Sequence, residues 1–298
     1  MLSPWLELPG TDERVASWSE AISLDLARLG TTATAEEITD TAVTQPLVVA
    51  ATLLAYEELT RRGLLAGRTV ENTLVAGHSV GEIAAYAIAG VLSADDAVSL
   101  AATRGAEMAK ACAVEATGMA AVLGGDEAEV LARLDALDLV AANRNAAGQI
   151  VAAGALSALD KLVEDPPAKA RVRALATAGA FHTHFMASAL DAYSAAAEAV
   201  TAAGISEPTA KLLSNADGRP VESAADAMTK LVAQLTRPVR WDLCTETMRQ
   251  RFETAEVAAI IEFPPAGTLV GIAKRELRGI PTHAVKTPAD LDGLSELI

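Results

Sequence analysis

The sequence predicts an α/β fold, with helices packed on a mostly parallel sheet and a smaller unit of mixed topology inserted between its two halves. Short apolar runs bounded by Gly or polar residues alternate with longer stretches of helical period, as layered α/β structures require. Hydrophobic residues make up 51% of the chain but aromatic residues only 3%. The core must therefore be built from alanine and branched aliphatic side chains, which favours helices lying tightly on a sheet. From 116 to 181 the texture changes to strand, helix, two strands, helix, strand, the order of a ferredoxin-like split βαβ arrangement. A chain of 298 residues is long enough for one large domain or two modest ones. The expected division is a large subdomain of residues 1–115 and 184–298, with the inserted subdomain at 116–183.

The N-terminal sequence MLSPWLELPG has neither a basic nor an apolar targeting region. The longest apolar stretch, near 47–56, is too short to span a bilayer, so no membrane segment is expected. The unit from 70 to 86 is the clearest in the chain. Thr73-Leu74-Val75-Ala76 reads as a buried strand, residues 77–81 as a sharp turn, and 82–89 as the helix that follows. In the inserted unit, 119–123 reads as a strand, 127–137 as a helix, 139–142 and 149–152 as strands, 156–163 as a helix and 172–176 as the last strand.

A net charge of −15 argues against a duplex nucleic-acid partner, whose phosphates demand clustered Lys and Arg. Two cysteines, Cys112 and Cys244, make no disulfide framework, and a reducing cytoplasm is the expected location.

Gly77-His78-Ser79-Val80-Gly81, set between a strand and a helix, has the form of a nucleophile elbow. Both glycines are expected to be needed because the turn leaves no room for a Cβ on either side of the serine. The following helix places the Val80 N–H and the positive end of the helix dipole beside a developing oxyanion. A nucleophilic serine needs a base, and the chain has four histidines: His78, His182, His184 and His283. His78 is expected to point away from its neighbour into packing or hydrogen bonding. His283, in a Pro-Thr-His segment, reads as a surface residue. That leaves His182 or His184, which periodicity alone does not separate.

Several spaced motifs occur in order: Thr44-Gln45-Pro46 before a helix, Gly77-His78-Ser79-Val80-Gly81-Glu82, Arg104-Gly105, Asn143-Arg144-Asn145 leading to Gly148-Gln149, Phe181-His182, and Gln234-Leu235 followed by Pro238-Val239-Arg240-Trp241. Over nearly its whole length the chain thus resembles the malonyl-CoA:acyl-carrier-protein transacylases, which in turn are similar to the acyltransferase domains of polyketide synthases. The resemblance implies an α/β-hydrolase-like large subdomain, a ferredoxin-like insertion and an active site in the cleft between them. It selects His182 as the base, requires no acidic third member, and assigns the backbone carbonyl at Gln234 to orient the imidazole. Arg104 resembles the residue that holds the free carboxylate of malonate, a task suited to a planar guanidinium. Without the resemblance, Arg104 would read as an exposed helix arginine.

By the same resemblance Asn143 and Asn145 border the cleft, or alternatively form a strand-end turn; Ala146-Ala147 stands where the family often has Ser-Pro. Val80 and Phe181 match the malonyl-type rather than the methylmalonyl-type pattern. The chain begins at Met1-Leu2-Ser3-Pro4, just beyond the family's Gly-Gln-Gly-x-Gln strand and loop, whose glutamine supplies a second oxyanion donor. A start assigned too far downstream is the favoured explanation and an impaired form the other, and an unpaired apolar groove in the sheet is expected.

The expected reaction is malonyl transfer from malonyl-CoA to the phosphopantetheine thiol of an acyl carrier protein in fatty-acid biosynthesis, with no metal or redox cofactor. Lys169, Arg171, Arg173, Arg237 and Arg240 are candidate contacts for the two anionic partners. The alternatives are a serine esterase or thioesterase, a polyketide-pathway acyltransferase, and a non-catalytic carrier-binding protein.

Overall fold

Short polar side chains stand one position before half of the described α-helices, and they fix where those helices begin. The computed structural model describes residues 1–64, 73–254 and 259–297; the start of the strand-turn-helix unit expected from 70 lies outside them. The N-terminal layer is α1 (Thr11–Ile22), α2 (Leu26–Thr31), α3 (Ala35–Thr39) and α4 (Thr41–Arg61). Asp25 caps α2, Thr34 and Glu37 form a capping box on α3, and Asp40 caps α4, each satisfying N–H groups that a helix start leaves open. Thr44-Gln45-Pro46 lies inside α4 rather than before it. Asp40 starts the helix early, and Pro46 is accommodated near its beginning.

Strand β1 (Leu74–Val75) leads through the elbow into α5 (Gly81–Ile88), and α6 (Ala94–Cys112) follows. Ser93 caps α6 through the Asp96 N–H. The alanine-rich composition has its effect where α6 crosses α4. A Cβ on Gly105 would lie 2.6 Å from the Thr41 carbonyl oxygen, so only glycine permits this approach, which also brings Arg104 up to Gln45.

The inserted unit comprises β2 (Thr117–Gly124), α7 (Glu127–Ala136), β3 (Val140–Ala146), β4 (Gln149–Ala155), α8 (Leu156–Glu164) and β5 (Ala170–Ala174). The strands form one antiparallel sheet of order β3-β4-β2-β5. Strand β5 begins and ends two residues earlier than the pattern predicted. The sheet packs on α7 and α8 through Ala120, Val122, Val130, Leu134, Ile150, Leu159 and Leu162.

The chain then returns through a 3₁₀ turn (His184–Ala189), α9 (Leu190–Gly204), β6 (Lys211–Leu212), α10 (Ala224–Ala233), a second 3₁₀ turn (Gln234–Thr236), α11 (Trp241–Glu253), β7 (Ile260–Glu262), α12 (Thr268–Glu276) and β8 (Thr282–Ala284) to a last 3₁₀ segment (Pro288–Glu296). The parallel pairing of this subdomain occurs as two separate ladders, β1 with β6 and β7 with β8. Among the described residues no ladder joins them, and Leu74, Ile260 and Ile261 in these strands are only half-buried. The main core lies between α4, α5, α6 and α9 and includes Trp5, Trp18, Leu54, Ile83, Tyr86 and Tyr193. Phe181 packs against both this core and a small cluster of Met119, Ala142, Ala153 and Ala180 from the inserted sheet.

Candidate active site

The elbow is tight on one side only. A Cβ on Gly77 would lie 2.0 Å from the Gly81 carbonyl oxygen, whereas a Cβ on Gly81 would meet nothing within 4 Å. The expectation that both glycines are sterically required is therefore corrected: Gly81 starts α5, and its missing Cβ faces open space. Ser79 at the apex has φ 54°, a left-handed conformation that costs a non-glycine residue ~1–3 kcal/mol and persists only where surroundings enforce it. Asn215, just beyond β6, provides the enforcement. Its Oδ1 accepts the Ser79 N–H at 2.8 Å and its Nδ2 donates to the Gly77 carbonyl at 2.7 Å, gripping the elbow on both sides of His78.

His182 lies opposite, also left-handed at φ 61°. The loop before it lies against the end of α6, where a Cβ on Gly179 would be 2.5 Å from Cys112 Sγ. Thr117 accepts the Ala180 N–H, and Thr183 donates to the Ala180 carbonyl. This scaffold places His182 Nε2 2.7 Å from Ser79 Oγ and Nδ1 2.8 Å from the Gln234 carbonyl oxygen. A carbonyl only accepts, so Nδ1 carries the proton and Nε2 presents its lone pair to the serine hydroxyl. Burial, reinforced by the Arg104 charge, pushes the His182 pKa down to about 3, so the imidazole is neutral at physiological pH.

Arg104 is buried, with 1% of its surface exposed, and not the exposed helix residue that its position alone suggested. Nη1 donates to Gln45 Oε1 at 2.6 Å, Nη2 donates to Gln234 Oε1 at 2.9 Å and approaches Ser79 Oγ at 3.5 Å, and Nε has no partner. The Val80 N–H, at the start of α5, has no hydrogen-bond partner among the described residues.

The other sequence candidates separate by geometry. His78 Nε2 lies 2.9 Å from Asn145 Oδ1, and the ring meets the Trp241 edge at 5.6 Å between centroids. It therefore points into packing, as expected. Asn145 thus reaches the elbow, while Asn143 is buried at the join between β3 and Val239. His184 is exposed and stacks on Phe185. His283 is not on the surface: it is half-buried in β8 and bonds to the Asp290 carbonyl at 2.7 Å. Of the basic candidates, Lys169, Arg171, Arg173 and Arg237 are exposed, while Arg240 is paired with Asp242.

Two residues that shape the site had no assigned role in the sequence reading. Asn215, after Leu212-Leu213-Ser214, carries no local signal that marks it. Glu82, the second residue of α5, stands in the elbow motif with no role of its own assigned to it. Glu82 is fully buried, accepts the Asn215 N–H at 2.6 Å, and has its pKa pushed up to about 7 by burial.

A half-buried serine in a strand-turn-helix elbow, bonded to a buried histidine, with an inserted antiparallel sheet and an arginine beside it, defines an acyltransferase-type serine enzyme. Residues 16–289 match the acyl transferase domain family. The malonyl CoA-acyl carrier protein transacylase of Mycolicibacterium smegmatis is 79% identical over the full length of both chains. The protein of that name from Mycobacterium tuberculosis is 72% identical over all of this chain and 95% of its own. A crystal structure of MCAT from Mycobacterium tuberculosis superposes with a TM-score of 0.94 at 71% identity, covering 99% of this chain and 94% of that one. A type II PKS acyl-carrier protein in complex with its malonyl-transacylase superposes at 0.88 with 27% identity, covering 99% and 94%. The chain belongs to the acyl transferase domain family.

Proposed function

We propose that this protein transfers a malonyl group from malonyl-CoA to the phosphopantetheine thiol of an acyl carrier protein, through a malonyl ester on Ser79, in fatty-acid biosynthesis. His182 Nε2 takes the Ser79 proton as Oγ attacks the thioester carbonyl. The Val80 N–H faces the developing oxyanion. The tetrahedral adduct collapses by breaking the C–S bond, and His182 returns the proton to the departing coenzyme A sulfur. The carrier thiol then enters, loses its proton to His182, attacks the ester and releases Ser79, giving ping-pong kinetics. Every proton in this sequence is handled by His182, held in one tautomer by the Gln234 carbonyl, so the chemistry calls on no cofactor beyond the thioester itself.

The observation that carries the reading is the buried Arg104, whose guanidinium approaches Ser79 Oγ at 3.5 Å and keeps an unpaired Nε. A buried cation with a spare donor beside the nucleophile suits an acyl group that ends in a carboxylate. It disfavours an esterase or thioesterase, whose acyl pocket would be apolar. Phe181, between the two cores, and Val80 border the acyl group, and Asn143 lines the cleft between 116–183 and the remainder of the chain. Lys169, Arg171, Arg173 and Arg237 are among the exposed cations available to the anionic carrier. No helix of the described residues is long and apolar enough to cross a membrane, and the proposed site of action is the cytoplasm.

Intact-protein mass spectrometry after brief mixing with malonyl-CoA, followed by peptide mapping, tests the reading. A malonyl adduct on Ser79 that is weak or absent with acetyl-CoA is expected. An acetyl adduct equal to the malonyl one would overturn the acyl assignment, and an adduct elsewhere would overturn the nucleophile.

A further inference from the structure

Arg104 is a buried cation and Glu82 a buried carboxyl, and the side-chain amide of Gln234 lies between them. Gln234 Oε1 accepts from Arg104 Nη2 at 2.9 Å, and Gln234 Nε2 donates to Glu82 Oε2. Only one orientation of the amide serves both, since the flipped one would turn its NH₂ on the guanidinium and its oxygen on the carboxyl. The amide dipole then has its negative end on the cation and its positive end on the acid, and in a low-dielectric interior such chains reinforce one another. The far end is anchored: Glu82 Oε1 accepts the Asn215 N–H, and the amide also reaches Asn215 Oδ1 at 3.2 Å and the Ser79 carbonyl at 3.3 Å.

What orients His182 is the main-chain carbonyl of Gln234, which any residue at 234 supplies. The glutamine side chain therefore answers a separate requirement. Gln45 holds one terminal nitrogen of Arg104, but a single contact leaves the guanidinium free to swing about it. The second terminal nitrogen, the one that approaches Ser79 Oγ, is fixed by Gln234.

We propose that the Gln234 amide and Glu82 form a positioning relay that fixes the Arg104 guanidinium beside Ser79 and so sets the preference for acyl groups bearing a carboxylate. The inference rests on Arg104 being the partner of the malonyl carboxylate. Neither relay residue touches the acyl group. A misplaced guanidinium weakens malonyl transfer more than acetyl transfer, because only the malonyl transition state makes that contact.

The test is the ratio of kcat/KM for malonyl-CoA to that for acetyl-CoA, measured by Ser79 acylation in the full chain and in Gln234→Met, Glu82→Gln and Arg104→Gln. Gln234→Met keeps the carbonyl that orients His182 and removes the amide. Glu82→Gln keeps the volume but forces a donor against a donor at either Gln234 or Asn215. Losing a hydrogen bond to a charged group corresponds to about tenfold or more, so the ratio is expected to fall by at least that factor in Gln234→Met, and to fall in Glu82→Gln. An equal loss for both acyl donors in Gln234→Met would overturn the relay, since a purely structural defect has no reason to favour acetate. If Glu82→Gln does not fold, Gln234→Met alone decides. An unchanged ratio in Arg104→Gln would instead remove the reading of Arg104 on which the relay stands, whereas a fall there with none in Gln234→Met would reject the relay alone.

Discussion

Ser79 and His182 are two of only five non-glycine residues with positive φ among those described, and the proposed reacting pair is thus held where the backbone resists being. Asn215 binds the groups on both sides of the elbow, so Asn215→Leu, similar in volume, releases Ser79. Displacing a nucleophile by about 1 Å costs ~100-fold, and rapid-mixing measurement of Ser79 acylation is expected to show a loss of that order. Gly77 and Gly81 make opposite predictions. Gly81→Ala fills open space at a helix start and should raise stability by ~0.4–1 kcal/mol, while Gly77→Ala, with its Cβ on the Gly81 carbonyl, should abolish Ser79 labelling; thermal unfolding and labelling read both. The His182 pKa near 3 also fixes a pH dependence. The imidazole stays neutral in the folded protein well below the ordinary value of 6.5, so reaction of Ser79 with an uncharged fluorophosphonate should persist through pH 5. The unfolded chain takes up that proton as pH drops below about 6.5. The stability linked to His182 is therefore intact above 6.5 and is lost progressively as pH falls towards 3.

At the scale of elements, close approach and capping decide where the site residues stand. Gly105 lets α6 lie against Thr41 of α4, which joins Arg104 to Gln45. Gly105→Ala should push the helices apart and appear as lower thermal stability together with a raised KM for malonyl-CoA. Glu262 of β7 accepts the N–H groups of Gly267, Leu269 and Val270 at the start of α12. Glu262→Ala leaves those donors open and should cost at least ~2 kcal/mol in chemical denaturation. The inserted sheet was legible in the sequence because each of its elements carries its own period, and the elbow because strand, turn and helix are contiguous. Asn215, Glu82 and the burial of Arg104 were not, because each depends on contacts between residues 19 to 152 positions apart. Periodicity, a local signal, does not reach that far. His283 was misread for a different reason: it pairs with Ile261 in a ladder that its Pro-Thr-His sequence does not announce, and the neighbouring segment at 288–296 turns back over it.

The whole molecule carries a charge of −15, yet its proposed substrates are anionic, so recognition must come from local cations. Arg171 and Arg173 alternate along β5, an edge strand of the inserted sheet, and both are exposed. Reversing both charges should raise the KM for the carrier protein more than that for malonyl-CoA, and added salt should narrow the difference. The family relationship and the fold agree on an acyl transferase, and the acyl enzyme is proposed to form on Ser79; the choice of acceptor is the central claim. It is tested most directly by preforming the malonyl enzyme, removing excess malonyl-CoA, and following the fate of the malonyl group in a single turnover with and without holo-carrier protein. Transfer to the carrier thiol faster than the release of free malonate in its absence is the predicted result. Release of malonate to water at a rate indifferent to the carrier would contradict the account and make the protein a hydrolase.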